Sequence, residues 1–174
     1  MSKTSYEIGG GPAPTQQYAS IIMAGADCPG AYIPSNNFGP CAGAYLPIGN
    51  TSFALNPLAS GPVNGLSVNL NSGGIVIASA GTFLLIARLA MYPDGINDRV
   101  FFRVQNALSG NLFNGIQDVQ HEQNTLAKTR TLHSIFTWPA GPGLTLQTAI
   151  SCENGPATGA FVHSFEFSIM ELLT

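Results

Sequence analysis

The stretch from Gly73 to Met91, GGIVIASAGTFLLIARLAM, constrains the fold more than any other. A short β-type run, Ile75 to Ala78, is followed by an Ala-Gly turn and then by a longer run that is apolar on both faces of an extended chain. Phe83, Leu85, Ala87, Leu89 and Met91 point one way; Leu84, Ile86 and Ala90 point the other, interrupted only by Arg88. Side chains alternate between the faces of a strand, so a strand with one wet face alternates apolar and polar residues. This strand has to be covered twice. The chain shows no evident helix to act as the second layer, so the cover implied is another copy of the same protein. Arg88 would then need a partner across that contact: Glu166, Glu171 or a carbonyl.

Short strands and Gly/Pro turns surround this segment. Tyr18 to Met23, Leu66 to Leu70, Arg99 to Asn106, Leu112 to Ile116 and Thr129 to Trp138 read as strands,. Leu144 to Cys152 alternates as a half-buried strand, and a last strand puts Phe161, His163, Phe165, Phe167 and Ile169 on one face. The polar stretch 117–128 leaves room for a short helical turn. Residues 1–16, with Gly9-Gly10-Gly11-Pro12-Ala13-Pro14, form a flexible N-terminal arm,. Residues 17–174 form a single domain with a Pro/Gly-rich N-terminal insertion at about 25–62,. Within it Cys28-Pro29-Gly30-Ala31-Tyr32-Ile33-Pro34 returns as Cys41-Ala42-Gly43-Ala44-Tyr45-Leu46-Pro47, which reads as two similar extended edge segments with tyrosine anchors. An all-β chain of many short strands is a sandwich or jelly roll.

Composition narrows the function classes. Charged residues make up 9% of the 174-residue chain, against about 25% in typical soluble proteins. Such a polar but uncharged surface suits a durable assembly. Six scattered Lys and Arg and a net charge of −3 argue against nucleic-acid binding,. The first residues lack the apolar core of a signal peptide, and the longest apolar run is too short to span a bilayer. Synthesis in a cytosol is therefore expected, with any exterior location reached by assembly, lysis or a non-classical route. Cys28, Cys41 and Cys152 form neither a disulfide framework nor a CxxC metal motif,.

Three passages resemble one family. Asn71 to Leu85 resembles the G-I-x-I-x-x-x-G-x-Y/F-x-I/L passage of the tumour necrosis factor-like jelly rolls. That superfamily includes complement globular heads and the C-terminal domains of bacterial collagen-like surface and phage fibre proteins. Trp138 to Leu146 resembles the L-x-A-G-D-x-L-x-L turn of the bacterial members, with Pro142 at the usual acidic position. Phe165 to Leu173 resembles their closing strand. The resemblance covers roughly residues 63–173, and the chain has no Gly-X-Y collagen stalk. It implies an all-β jelly-roll sandwich of about eight to ten antiparallel strands in two sheets, trimeric around a three-fold axis.

The expected trimer contacts are Leu84, Ile86, Arg88, His163, Phe165 and Phe167. Asp94, Asn97 and Asp98 share one loop and offer oxygen ligands for calcium, although a plain Asp/Gly hairpin turn is the favoured reading. Tyr32, Tyr45, Tyr92 and Trp138 are aromatic groups suited to a glycan- or protein-binding surface, or to ordinary packing. His121 beside Glu122 and His133 lack the partners of a catalytic triad, and no cupin-type His-x-His constellation occurs. No enzymatic activity, cofactor or catalytic residue is expected. The expected function is a non-enzymatic structural or attachment protein, a homotrimer displayed on a virion or on a bacterial or spore surface. Residues 1–16 would anchor it to a larger particle. The alternative is a lectin-like module binding a glycan or protein receptor on the same fold.

Overall fold

The computed structural model describes residues 15–23, 31–34, 45–51, 58–93, 99–120, 128–139, 141, 143–152 and 159–173. These contain twelve strands and no helix: β1 (Tyr18–Met23), β2 (Ala31–Pro34), β3 (Leu46–Pro47), β4 (Leu58–Asn64), β5 (Ser67–Asn69), β6 (Gly74–Ile77), β7 (Gly81–Pro93), β8 (Arg99–Asn106), β9 (Leu112–Gln120), β10 (Lys128–Trp138), β11 (Leu144–Cys152) and β12 (Gly159–Glu171). They form two antiparallel sheets. The first runs β10-β7-β12-β1-β4, with β2 also paired to β12. The second runs β5-β6-β11-β8-β9, with β3 also paired to β11. From β6 onward the chain passes repeatedly from one sheet to the other, which is compatible with a jelly roll.

β7 is bonded along its length on both sides. Gly81 to Met91 pairs with Trp138 to Lys128 of β10, and Phe83 to Pro93 pairs with Glu171 to Ala160 of β12. Its inward residues are those the alternation predicts: Phe83, Leu85, Ala87, Leu89 and Met91 are buried. They meet Ile75, Ile77, Phe102, Val104, Leu144, Leu146 and Ile150 from the second sheet in one core. An aromatic relay closes the edge between β9 and β10. Phe136 stacks on Phe83 at 5.7 Å between centroids and takes Phe113 edge-on at 4.9 Å.

Within the Pro/Gly-rich stretch at about 25–62, the described segments pair with the two sheets. β2 joins the first sheet through β12, β3 joins the second through β11, and β4 extends the first sheet beside β1. The two repeated segments therefore serve different sheets. Beside the second copy, Ile48 N–H donates to the Thr148 carbonyl at 2.9 Å in line with the β3–β11 ladder, and over the outer face Arg103, in register with Ala149, lies with its guanidinium 3.5 Å from the centre of the Tyr45 ring. This cover changes the reading of β11. Gln147, Ala149 and Ser151, on the face expected to be wet, are buried as well as Leu144, Leu146 and Ile150. The strand covered on both faces within one chain is β11.

Two further strands differ from their expected form. β9 runs on to Gln120, so the stretch 117–120 is extended. β12 carries a β-bulge between Val162 and Ser164, where Val162 pairs with Met91 and Ser164 with Ala90. A bulge adds one residue and resets the alternation. Val162 thus joins Phe165, Phe167 and Ile169 in the core, while Phe161 pairs with Tyr92 on the other parity.

The turn before β6 is built for glycine. Asn69 Oδ1 accepts from the N–H groups of Asn71 and Ser72 at 3.1 and 3.2 Å. Gly73 then takes φ +64°, and a Cβ there would overlap the Ile48 carbonyl oxygen. Only glycine satisfies both conditions.

Candidate functional site

Cross-strand partners in an antiparallel sheet point to the same face, so the register reads out the outer surface of the first sheet. One row holds Ile135, Leu84, Met170 and Tyr18 from four adjacent strands. The next holds His133, Ile86, Ser168 and Ser20. A third holds Thr131, Arg88, Glu166 and Ile22. With strands about 4.8 Å apart, the first row is an apolar band roughly 15 Å wide. Ile135 is 66% exposed, Ile22 39%, and Met170 and Tyr18 37% each. Leu84 and Ile86 are half-buried by these neighbours, and Arg88 is exposed. On the face of β7 predicted to need a second cover, Ala90 is buried within the chain, whereas the half of the face from Leu84 to Arg88 is only partly covered by the described residues.

Arg88 and Glu166 sit side by side in register. Glu166 Oε1 accepts from the Ser168 hydroxyl at 3.1 Å, and the described residues form no ion pair between Arg88 and Glu166. An acid and a base thus stand next to an apolar band with their charges available to a neighbour.

The remaining predicted contacts fall elsewhere. Phe165 and Phe167 are buried between the sheets, so the outward residues of that part of β12 are Glu166, Ser168 and Met170. His163 is the extra residue of the bulge and is half-buried there. Sequence reading missed Ile135, Met170, Tyr18 and Ile22. Each is the apolar member of an otherwise polar or mixed strand face, and only the register assembles them.

Of the aromatic candidates, Tyr45 is committed to Arg103. That guanidinium also donates to Gln105 Oε1 through Nε at 2.9 Å and Nη2 at 2.6 Å, and to the Gly110 carbonyl at 3.0 Å. Burial pulls the Arg103 pKa below the ordinary guanidinium value, and the charge interaction with Tyr45 opposes that shift. Trp138 is half-buried at one pole, packed against the core and lining a cavity. Tyr32 and Tyr92 lie within β2 and β7 by backbone, and their side chains lie outside the described residues, as does the loop with Asp94, Asn97 and Asp98. The described residues bring together no group of three or more His, Cys, Asp or Glu that would hold a metal ion. No helix among them is long and apolar enough to cross a membrane. No family model matches the chain, and no curated protein matches its sequence.

Proposed function

We propose that the chain is a non-enzymatic structural or attachment protein that works as a homotrimer, packed through the outer face of its first sheet. The observation that carries this is the apolar row Ile135, Leu84, Met170 and Tyr18, left uncovered beside the exposed Arg88 and its neighbour Glu166. Exposing such a band in solution is unfavourable, since burial of each large apolar side chain stabilises by about 1.5–3 kcal/mol. A second copy brings the same band and a self-complementary pair of charges, so Arg88 of one chain can meet Glu166 of the next. Three-fold rather than two-fold closure draws on the resemblance to tumour necrosis factor-like jelly rolls. The low charge of the chain fits a protein held in a particle or on a virion, bacterial or spore surface, with residues 1–16 as the attachment.

Size-exclusion chromatography with light scattering tests the reading. The expected mass is about three times the 18.2 kDa of one chain. A stable monomer at micromolar concentration would refute the assembly.

A further inference from the structure

A cavity of about 400 Å³ opens at the pole where β7 begins and β10 ends. Its size falls within the roughly 300–1,000 Å³ of small-ligand pockets, which are mostly apolar with a few placed polar groups. Gly81, Thr82, Thr137, Trp138 and Glu171 form the part of the wall that carries the chemistry.

Each of these groups is held by structure. Trp138 packs on the core, so the indole is a fixed wall rather than a free surface side chain. The Thr82 and Thr137 hydroxyls are 3.2 Å apart, so one donates to the other and the recipient keeps its own proton to give,. Glu171 is pinned through its backbone: its N–H donates to the Gln17 carbonyl at 2.7 Å, and its carbonyl accepts from Gln16 Nε2 at 2.7 Å. Its Oε2 accepts from the Gln17 N–H at 3.2 Å. Oε1 lies on the Gly81 side, where a Cβ at residue 81 would come within 3.0 Å of it. Glycine keeps that approach open.

We infer that this cavity binds a neutral saccharide, one pyranose ring packed on the indole of Trp138 with a hydroxyl donated to Glu171 Oε1. Among the described residues no Lys, Arg or His lines the cavity and the one ionised group is a carboxylate, which disfavours phosphates and acidic sugars. A cation would satisfy Glu171, but a quaternary ammonium is recognised by a cage of several rings, and Trp138 is the one aromatic side chain among the described residues of the wall,. The paired threonine hydroxyls both donate and accept. A sugar hydroxyl does the same, whereas an ammonium group only donates. The site belongs to a single chain, so it does not depend on the assembly proposed above.

Trp138 is also the only tryptophan in the chain, so tryptophan fluorescence, excited at the red edge where tyrosine does not absorb, reports on this cavity. The full-length protein is titrated separately with glucose, galactose, mannose, fucose and N-acetylglucosamine, with tetramethylammonium and sialic acid as comparators. At least one neutral sugar is expected to give a saturable change with a dissociation constant of about 0.1–10 mM. Glu171→Gln keeps the shape but loses the charge-strengthened acceptor, and should weaken binding about tenfold. Should that variant fail to fold, Thr137→Val removes a hydroxyl without touching the Gln17 contacts and should weaken binding about fivefold. The proposal is overturned if no neutral sugar gives saturation up to about 100 mM, a hundredfold above a 1 mM dissociation constant. It is also overturned if tetramethylammonium or sialic acid binds instead, or if the folded variant binds as the parent does. Repeating the titration on the assembly-deficient Ile86→Asp protein separates failure of the sugar site from failure of the trimer.

Discussion

Replacing Ile86 by Asp asks whether the outer face of the first sheet is a contact between copies. Within one chain Ile86 is half-buried between His133 and Ser168, so the change removes part of one side chain's burial and some strand propensity. That costs the monomer about 1–2 kcal/mol. In the assembly the same position places a carboxylate in a dry contact, where an unpaired charge costs about 3–5 kcal/mol. Arg88 lies two residues along on the same face, roughly 7 Å away, and offsets part of this. Taking the lower figure, three copies lose about 9 kcal/mol, and at about 1.4 kcal/mol per tenfold the assembly constant falls by roughly six orders of magnitude. Size-exclusion with light scattering reads the mass, and urea denaturation of the dissociated chain confirms that it is folded. Leu108→Asp is the control, because that side chain is 87% exposed at the β8–β9 turn and should leave the mass unchanged. A folded Ile86→Asp protein that keeps the parent mass at micromolar concentration would refute the argument.

Four other substitutions probe the remaining features. Arg88→Glu and Glu166→Arg should each assemble poorly alone, yet form mixed oligomers when combined; recovery only in the double mutant of a single chain would place the pairing within one subunit. Gly73→Ala should destabilise the chain by about 2–4 kcal/mol through its positive φ and the clash with the Ile48 carbonyl,; a change in urea midpoint equivalent to under about 0.5 kcal/mol would contradict this. Arg103→Ala removes the stack on Tyr45 and the bonds to Gln105 and Gly110, costing about 1–3 kcal/mol,. Faster hydrogen exchange at the Ile48 amide is expected, and unchanged exchange there would show that Arg103 does not hold the 45–51 segment down.

Alternation alone identified the inward face of β7, because that strand is long, regular and bonded on both sides without interruption. The same reasoning failed on β12 for a local cause. The bulge at His163 reverses the parity of everything before it, and no glycine or proline marks the place. It failed on β11 for a non-local cause. Gln147 and Ala149 lie in register with Gln105 and Arg103, and Arg103 is stacked on Tyr45 from about a hundred positions before Ala149; alternation carries no information about partners that distant. The apolar band was half legible for the same reason. Leu84 and Ile86 stand out within their own strand, whereas Ile135, Met170, Tyr18 and Ile22 become neighbours only through register. Glu171 and Trp138, which share the polar cavity, are 33 positions apart and carry no common motif.

The backbone bonds between Gln17 and Glu171 have a mechanical consequence. β1 is paired with β12 on one side and β4 on the other, and the start of β1 lies beside the end of β12. A pull applied through residue 15 and resisted at the opposite pole runs along β1 and loads both ladders in shear, so many hydrogen bonds share the force at once. A pull between residue 15 and residue 173 instead peels β1 away from β12, and the bonds break in succession. The same fold is therefore strong when tethered at one end and held at the other, and weak when its two ends are drawn apart.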